Sequence, residues 1–356
     1  MPPPIPRDSH YMQLPREVLI GKNVAPSVGE TLTRLGFNGP ALMVTGRKVI
    51  SIAGDTVLDS LKRAGFKSST IIAENATTAQ VSKVQREIRR IRPDIVVGVG
   101  GGKDIDVAKL GSRKSGLRFL SVPTAASHDG IASPLVSMKG LNRPYSYVAH
   151  SPIAIVADTS IIAKSPYRLI ASGCGDVIAK YTAVRDWKLA HRIKNEYYGD
   201  YAAELALMSS RLVTRNANAI RAMTDSGVRT LVEALISCGV AMSIAGTSRP
   251  CSGAEHLFSH ALTMIAPKPA LHGEQCGVGT IMCAYLHGGN WQLVKEVLHR
   301  IGAPTTAKEL GIDSEYIVEA LTRAHAIRPE RYTILGESGL TKEAAMRVGS
   351  VTGVID

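Results

Sequence analysis

Three of the chain's ten histidines, His256, His260 and His272, lie between Arg249 and Gln275. They stand in R-P-C-S-G-A-E-H-L-F-S-H and, beyond Pro267 and Pro269, in P-A-L-H-G-E-Q. Ser252 or Gly253 can start a helix, with Glu255 in the first turn where the helix dipole favours an acid. On that helix His256 and His260 are four apart and project from one face. His272 follows the prolines, which break the helix and return the chain, and a second helix is expected near Glu274. Neutral imidazole is a common zinc ligand, and a catalytic site needs only three protein ligands with one position open. The alternative is three unrelated histidines, each hydrogen-bonded in a helical core.

A second constellation is a candidate anion cradle. Asp94–Lys109 reads as a buried strand, a glycine turn and a helix start. Gly100, Gly101 and Gly102 let backbone N–H groups approach a phosphate at the positive end of the following helix. Lys103 stands where the last glycine of G-x-G-x-x-G would fall, so the usual dinucleotide fingerprint is absent. A tight strand-to-helix turn would need such glycines too. The next strand ends in S-V-P-T-A-A-S-H-D-G-I-A-S-P. Thr124, Ser127 and Ser133 would put hydroxyls at the same sheet edge, able to hold a ribose or an amide or merely to cap turns. Asp129 is an acid in that small-residue loop. Asp176 follows the Gly173/Gly175 pair and is read as opening a helix. It is either an N-cap or a metal ligand completing a set with two histidines.

Positioning these groups takes two kinds of architecture. From about residue 18 to 160, short apolar runs alternate with amphipathic stretches. Strands are expected at Ala41–Val44, Thr70–Ala73, Ile95–Val99, Arg118–Val122 and Ile153–Ala157. Helices are expected at Ala53–Ala64, Ala79–Arg92 and Asp104–Ser112. The alternation argues for a mostly parallel, Rossmann-like sheet in an α/β N-terminal domain, with ligands beyond the carboxyl ends of its strands. Leu135–Val148 reads as an inserted hairpin. After about Pro166 the strand signal stops. Helices are expected at Asp176–His191, Gly199–Met223, Val228–Ala245, Gly253–Ile265, Glu274–Leu286, Trp291–Ile301, Ser314–Ala326 and Lys342–Val351. An all-helical C-terminal domain is therefore expected, with the domains at 1–160 and 161–356. The mouth of the sheet must face the helices to make one site.

At 356 residues the chain is long enough for two domains, and 45% hydrophobic with 20% charged residues fits a globular protein. A net charge of +12 suits nucleic acid, a membrane surface or anionic small molecules. The basic residues are scattered and only 5% of residues are aromatic, so no nucleic-acid partner is expected. The five cysteines form no C-x-x-C pair and read as small buried hydrophobes in a reducing cytoplasm. The start M-P-P-P-I-P-R-D lacks the apolar core of a signal peptide, and no membrane span is expected.

Taken together, the motifs carry a resemblance. G-G-G-K-x-x-D-x-A-K (Gly100–Lys109), P-T-A-A-S-H-D-G-I-A-S-P (Pro123–Pro134), G-C-G-D (Gly173–Asp176), R-P-C-S-G-A-E-H-x-x-S-H (Arg249–His260) and L-H-G-E-Q (Leu271–Gln275) resemble the archaeal sn-glycerol-1-phosphate dehydrogenases. These belong to the superfamily of glycerol dehydrogenase, iron-containing alcohol dehydrogenase and dehydroquinate synthase. The resemblance spans essentially the whole chain, motifs in order. It implies NAD- or NADP-binding positions at Gly102, Lys103, Asp104, Ile105 and Asp106, at Thr124, Ala125, Ala126 and Ser127, and at Ser133. It implies one zinc per subunit on Asp176, His256 and His272. It implies that Asp129, Asp176 and His260 contact substrate and take part in catalysis. Helical spacing alone would instead pair His256 with His260. The implied activity is reduction of dihydroxyacetone phosphate to sn-glycerol 1-phosphate for archaeal ether phospholipids, by a cytoplasmic homo-oligomer. The rival activities are a glycerol dehydrogenase acting on unphosphorylated polyols and a dehydroquinate-synthase-like lyase.

Overall fold

Every central strand of the sheet is apolar on both faces, as a sheet covered by helices on both sides requires. The computed structural model describes residues 10, 12–138 and 147–356. Six parallel strands form one sheet: β1 (Glu17–Gly21), β2 (Ala41–Thr45), β3 (Ser68–Ile72), β4 (Ile95–Gly100), β5 (Arg118–Pro123) and β8 (Ala154–Asp158). Their spatial order is β1-β8-β5-β4-β2-β3. The chain runs outward from β2 to β3, then returns to β4 on the far side of β2 and continues to β5. The connections therefore diverge between β2 and β4, where an open α/β sheet leaves a crevice.

Successive residues of each strand serve opposite faces. Ala41, Met43, Val97, Leu120 and Val156 meet Val28 and Leu32 of α1 (Val28–Arg34) and Val57 and Leu61 of α2 (Asp55–Arg63). Leu42, Val44, Val96, Phe119 and Ile155 face α3 (Thr78–Ile91) and α4 (Gly102–Lys114). That second core continues without a break into the helical half. The helices there are α5 (Thr159–Ile162), α6 (Tyr167–Ile178), α7 (Lys180–Lys194), α8 (Asp200–Arg215), α9 (Ala217–Arg221), α10 (Asp225–Ala245), α11 (Ala254–Ile265) and α12 (His272–Leu286). They are followed by α13 (Trp291–Ile301), α14 (Ala307–Leu310), α15 (Ser314–Arg323) and α16 (Lys342–Val351). The fold is thus a parallel α/β sheet followed by a largely helical region. α10 is long and apolar enough to cross a bilayer, but 67% of its apolar window is buried in the core.

Several expectations need correction. The edge strand β1 and helix α1 are absent from the sequence reading. β1 pairs in parallel with β8, Leu19 opposite Val156, a partner far along the chain that a local pattern does not announce. The expected helix Asp176–His191 is two helices, α6 and α7, and Asp176 lies in the last turn of α6 rather than at a helix start. His272 is not in the loop but is the first residue of α12. The hairpin expected at Leu135–Val148 is present at its ends as β6 (Leu135–Val136) and β7 (Tyr147–Val148), paired antiparallel. Its middle, 139–146, and the Pro-rich start lie outside the described residues.

Candidate metal and cofactor site

Glycines bring the two key helices into backbone contact. A Cβ at Gly175 of α6 would run into the carbonyl oxygen of Gly273 of α12, and one at Gly273 into that of Ser172. Gly173, on the same helix, leaves no room between itself and the carbonyl of Ala126 in the loop after β5. The contact is clamped at its end. Arg168 of α6 donates two hydrogen bonds to Glu274 (2.6 and 2.7 Å), and Glu274 accepts from the Leu271 N–H (3.0 Å), fixing where α12 begins. His272 is thereby set against Asp176, and His256 of α11 completes the group.

Asp176, His256, His272 and Cys276 each offer a donor atom, and these atoms all lie within 4.8 Å of one another. His256 Nε2 is 3.3 Å from Asp176 Oδ1. Four ligands arranged tetrahedrally at zinc-like bond lengths would stand about 3.3–3.8 Å apart. Each imidazole has its other nitrogen occupied: His256 Nδ1 by Glu255 (2.8 Å), His272 Nδ1 by the Ser259 hydroxyl (3.1 Å). Such partners fix which ring nitrogen faces a metal. Glu255 is itself held by the Thr182 hydroxyl and the Gly253 N–H, both at 2.7 Å. An acid, two oriented imidazoles and a thiol are a donor set suited to zinc.

Around this group lies a charged network. Lys180 is fully buried and reaches Asp129 (2.8 Å) and Asp176 (3.0 Å). Asp129 also donates its backbone N–H to Asp176 (2.8 Å). Burial favours neutral Lys180, but Asp129 and Asp176 outweigh it and hold the ammonium well above its usual range. His260 stands beside His272, ring centroids 5.7 Å apart, and is not one of the four gathered donors. Burial, then His272, His256, Arg328 and Arg331, keep His260 well below the usual imidazole range, hence neutral.

The glycine turn lies one imidazole away. Gly100 has φ +150, a conformation strained for other residues, and a side chain there would meet the Asp104 carboxylate. Gly102 has no room for a Cβ because the His128 ring occupies that space. The same ring meets His272 edge-on at 6.4 Å. His128 thus spans from the first residue of α4 to the candidate metal donors. Asp104 and Asp106 are buried, and burial pushes both carboxyls up. Asp104 Oδ1 pairs with Lys103 Nζ at 3.4 Å and Asp106 Oδ1 with Lys109 Nζ at 3.9 Å, and among the described residues neither oxygen accepts a closer hydrogen bond. Two buried carboxylates whose Oδ1 atoms have only these long cationic contacts, beside a glycine turn, fit a site completed by a polar ligand.

The loop that follows β5 is anchored by a buried lysine. Lys109 donates three 2.8 Å hydrogen bonds, to the carbonyls of Gly130, Ser133 and Leu135. Burial lowers it to about 8, with Asp106 and Asp129 opposing, so it stays charged at neutral pH. Thr124 and Ser127 lie at the sheet edge, Thr124 donating its N–H to the Gly100 carbonyl (2.9 Å). Ser133 is 1% exposed, and its hydroxyl turns to the Leu135 backbone, as a turn-capping serine does. Sequence reasoning missed Lys180, Lys109, Cys276, Ser259 and the contact role of His128. The closing A-K of the glycine motif contained Lys109, but its partners are a loop away in sequence.

The family model described as iron-containing alcohol dehydrogenase matches residues 19–166. The chain is 54% identical to the NAD(P)-dependent glycerol-1-phosphate dehydrogenase of Methanothermobacter thermautotrophicus, over 98% of this chain and 100% of that protein. It is 56% identical to the protein of the same name from Thermococcus kodakarensis, over 98% and 99%. Among solved structures, a probable glycerol dehydrogenase from Sinorhizobium meliloti shares the fold with a TM-score of 0.79 at 20% identity, covering 98% of this chain and 100% of that one. The glycerol dehydrogenase of Schizosaccharomyces pombe has a TM-score of 0.80 at 19% identity, covering 97% and 92%.

Proposed function

The chain belongs to the family of NAD(P)-dependent glycerol-1-phosphate dehydrogenases, and from that premise we propose which of its residues do the chemistry. It is an oxidoreductase that uses NAD or NADP. In our reading it reduces dihydroxyacetone phosphate to sn-glycerol 1-phosphate for ether-lipid synthesis, as a cytoplasmic homo-oligomer. Residues 1–160 bind the dinucleotide, and 161–356 hold the metal and the substrate.

The observation that carries this reading is the span of His128 from Gly102 to His272. It sets a nucleotide-type glycine turn and a metal-type donor set side by side, where a bound dinucleotide and a bound metal would both reach one substrate. Asp176, His256 and His272 would hold zinc. Gly100–Asp106, Thr124–Ser127 and the loop through Ser133 would hold the cofactor. When bound, zinc supplies a Lewis acid at the carbonyl oxygen and the reduced nicotinamide supplies the hydride. Asp129 is held in place by Lys180 and so can orient a substrate hydroxyl without moving. Neutral His260 can donate one N–H to the substrate oxygen but carries no surplus proton. Arg328 and Arg331 add positive charge on the His260 side, where it favours a phosphate ester.

The test is to assay dihydroxyacetone phosphate against dihydroxyacetone with the same reduced cofactor. A charge-assisted phosphate contact set is worth several kcal/mol, so kcat/KM should fall about a hundredfold or more without the phosphate. The product should resist an sn-3-specific glycerol-phosphate dehydrogenase. Comparable rates on both ketones would instead favour a glycerol dehydrogenase.

A further inference from the structure

We infer that Cys276 is a fourth protein donor to the metal and that its sulfur biases the site toward zinc. The inference rests on the reading of Asp176, His256 and His272 as metal donors. Cys276 is one helical turn beyond His272 on α12, so both side chains project from the same face. That face is pressed against α6 by the Gly175–Gly273 contact. The thiol is fully buried, and its Sγ lies 3.5 Å from His272 Nε2. It belongs with Asp176 and His256 to one cluster whose donor atoms lie within 4.8 Å. The 3.5 Å separation falls within the roughly 3.3–3.8 Å between neighbouring ligands of a tetrahedral zinc. Cys174, Cys238, Cys251 and Cys283 are also buried, but none joins this cluster among the described residues. Small apolar filling would explain any one of them; it does not explain why a sulfur stands at the one position facing three other donors.

On loading, the metal–sulfur bond forms as the S–H bond breaks, and the proton leaves to solvent. Thiolate is a soft ligand that favours zinc, whereas manganese and magnesium prefer oxygen donors. Four protein donors would not exclude substrate, since catalytic zinc sites can expand their coordination. Cys276 is therefore a specificity-determining residue for the metal.

The full-length protein, stripped of metal, is titrated with cobalt(II) as wild type and as Cys276→Ser, and the near-ultraviolet thiolate-to-cobalt charge-transfer band is recorded. The wild type should take up one cobalt with this band. The variant should take up one cobalt without it. Zinc affinity in Cys276→Ser should fall by more than the roughly 10–100-fold that loss of an outer-shell partner costs. Manganese affinity should change little. NAD(P)H binding retained by the variant shows that it has folded. Cobalt uptake by the wild type without the band overturns the cysteine assignment and leaves the three-donor site standing. No stoichiometric cobalt uptake overturns both.

Discussion

His256 presents Nε2 to Asp176 because Glu255, its neighbour in the chain, takes Nδ1. The sequence showed Glu255 only as an acid suited to a first helical turn, since its partners Thr182 and Gly253 are revealed by the fold. The histidines were legible as a cluster, but helical spacing alone did not separate His272 from His260. Spacing on one helix pairs His256 with His260, whereas the tertiary contact of α11 with α12 sets His272 nearer the acid. A residue outside the site offers a sharper pH test. His150 is buried, stacked on Phe119 and hydrogen-bonded to Ser112 (3.0 Å). Burial, then Lys109, lowers it from 6.5 to about 4. Between these values the unfolded chain binds a proton at His150 that the native chain does not. Stability therefore rises with pH across that window and is lost as pH falls through it. Urea midpoints measured from pH 7 to pH 4 should fall less steeply in His150→Gln than in the wild type. Parallel slopes would show that His150 does not drive the acid limb.

At the scale of elements, periodicity served well where neighbours decide structure. α13 and α16 have the expected bounds, and the central strands differ by a residue or two at their ends. It failed at Gly173 and Gly175, read as a flexible pair before a helix. They are inside α6, and their missing side chains permit close approach to Ala126 and Gly273. A sequence shows that a residue is glycine but not whether the turn or the neighbour needs it. The distinction has a measurable consequence. Gly175→Ala puts a methyl against a backbone carbonyl that cannot swing away, an overpacking cost of about 1–3 kcal/mol. It should push α12 off α6, separating His272 from Asp176. The variant should remain folded by circular dichroism yet bind metal at least about tenfold more weakly. Metal affinity equal to wild type would mean that this contact does not position the donors.

Over the whole molecule, the fold class was readable because strand and helix periods are local, while the juxtaposition of sheet mouth and helices was only a requirement. The structure meets it through His128 and through Lys109, which ties the loop after β5 to α4. Cofactor choice shows the same limit. The end of β2 offers Arg47 and Lys48 and no nearby acid in sequence, which favours acceptance of NADPH beside NADH. The fold brings Glu74 to 3.9 Å from Arg47, both well exposed, so the cation there is partly offset. Both cofactors should work. Their kcat/KM values should differ by less than about a thousandfold, some 4 kcal/mol, and a larger preference for NADH would contradict this. The claim on which the rest depends is that metal is shared between α6, α11 and α12. Its most direct measurement is zinc content in purified His272→Ala and His260→Ala. His272→Ala should lose zinc while still binding NAD(P)H, and His260→Ala should keep zinc and lose turnover. Full zinc in His272→Ala, or equal loss in both variants, would contradict the account.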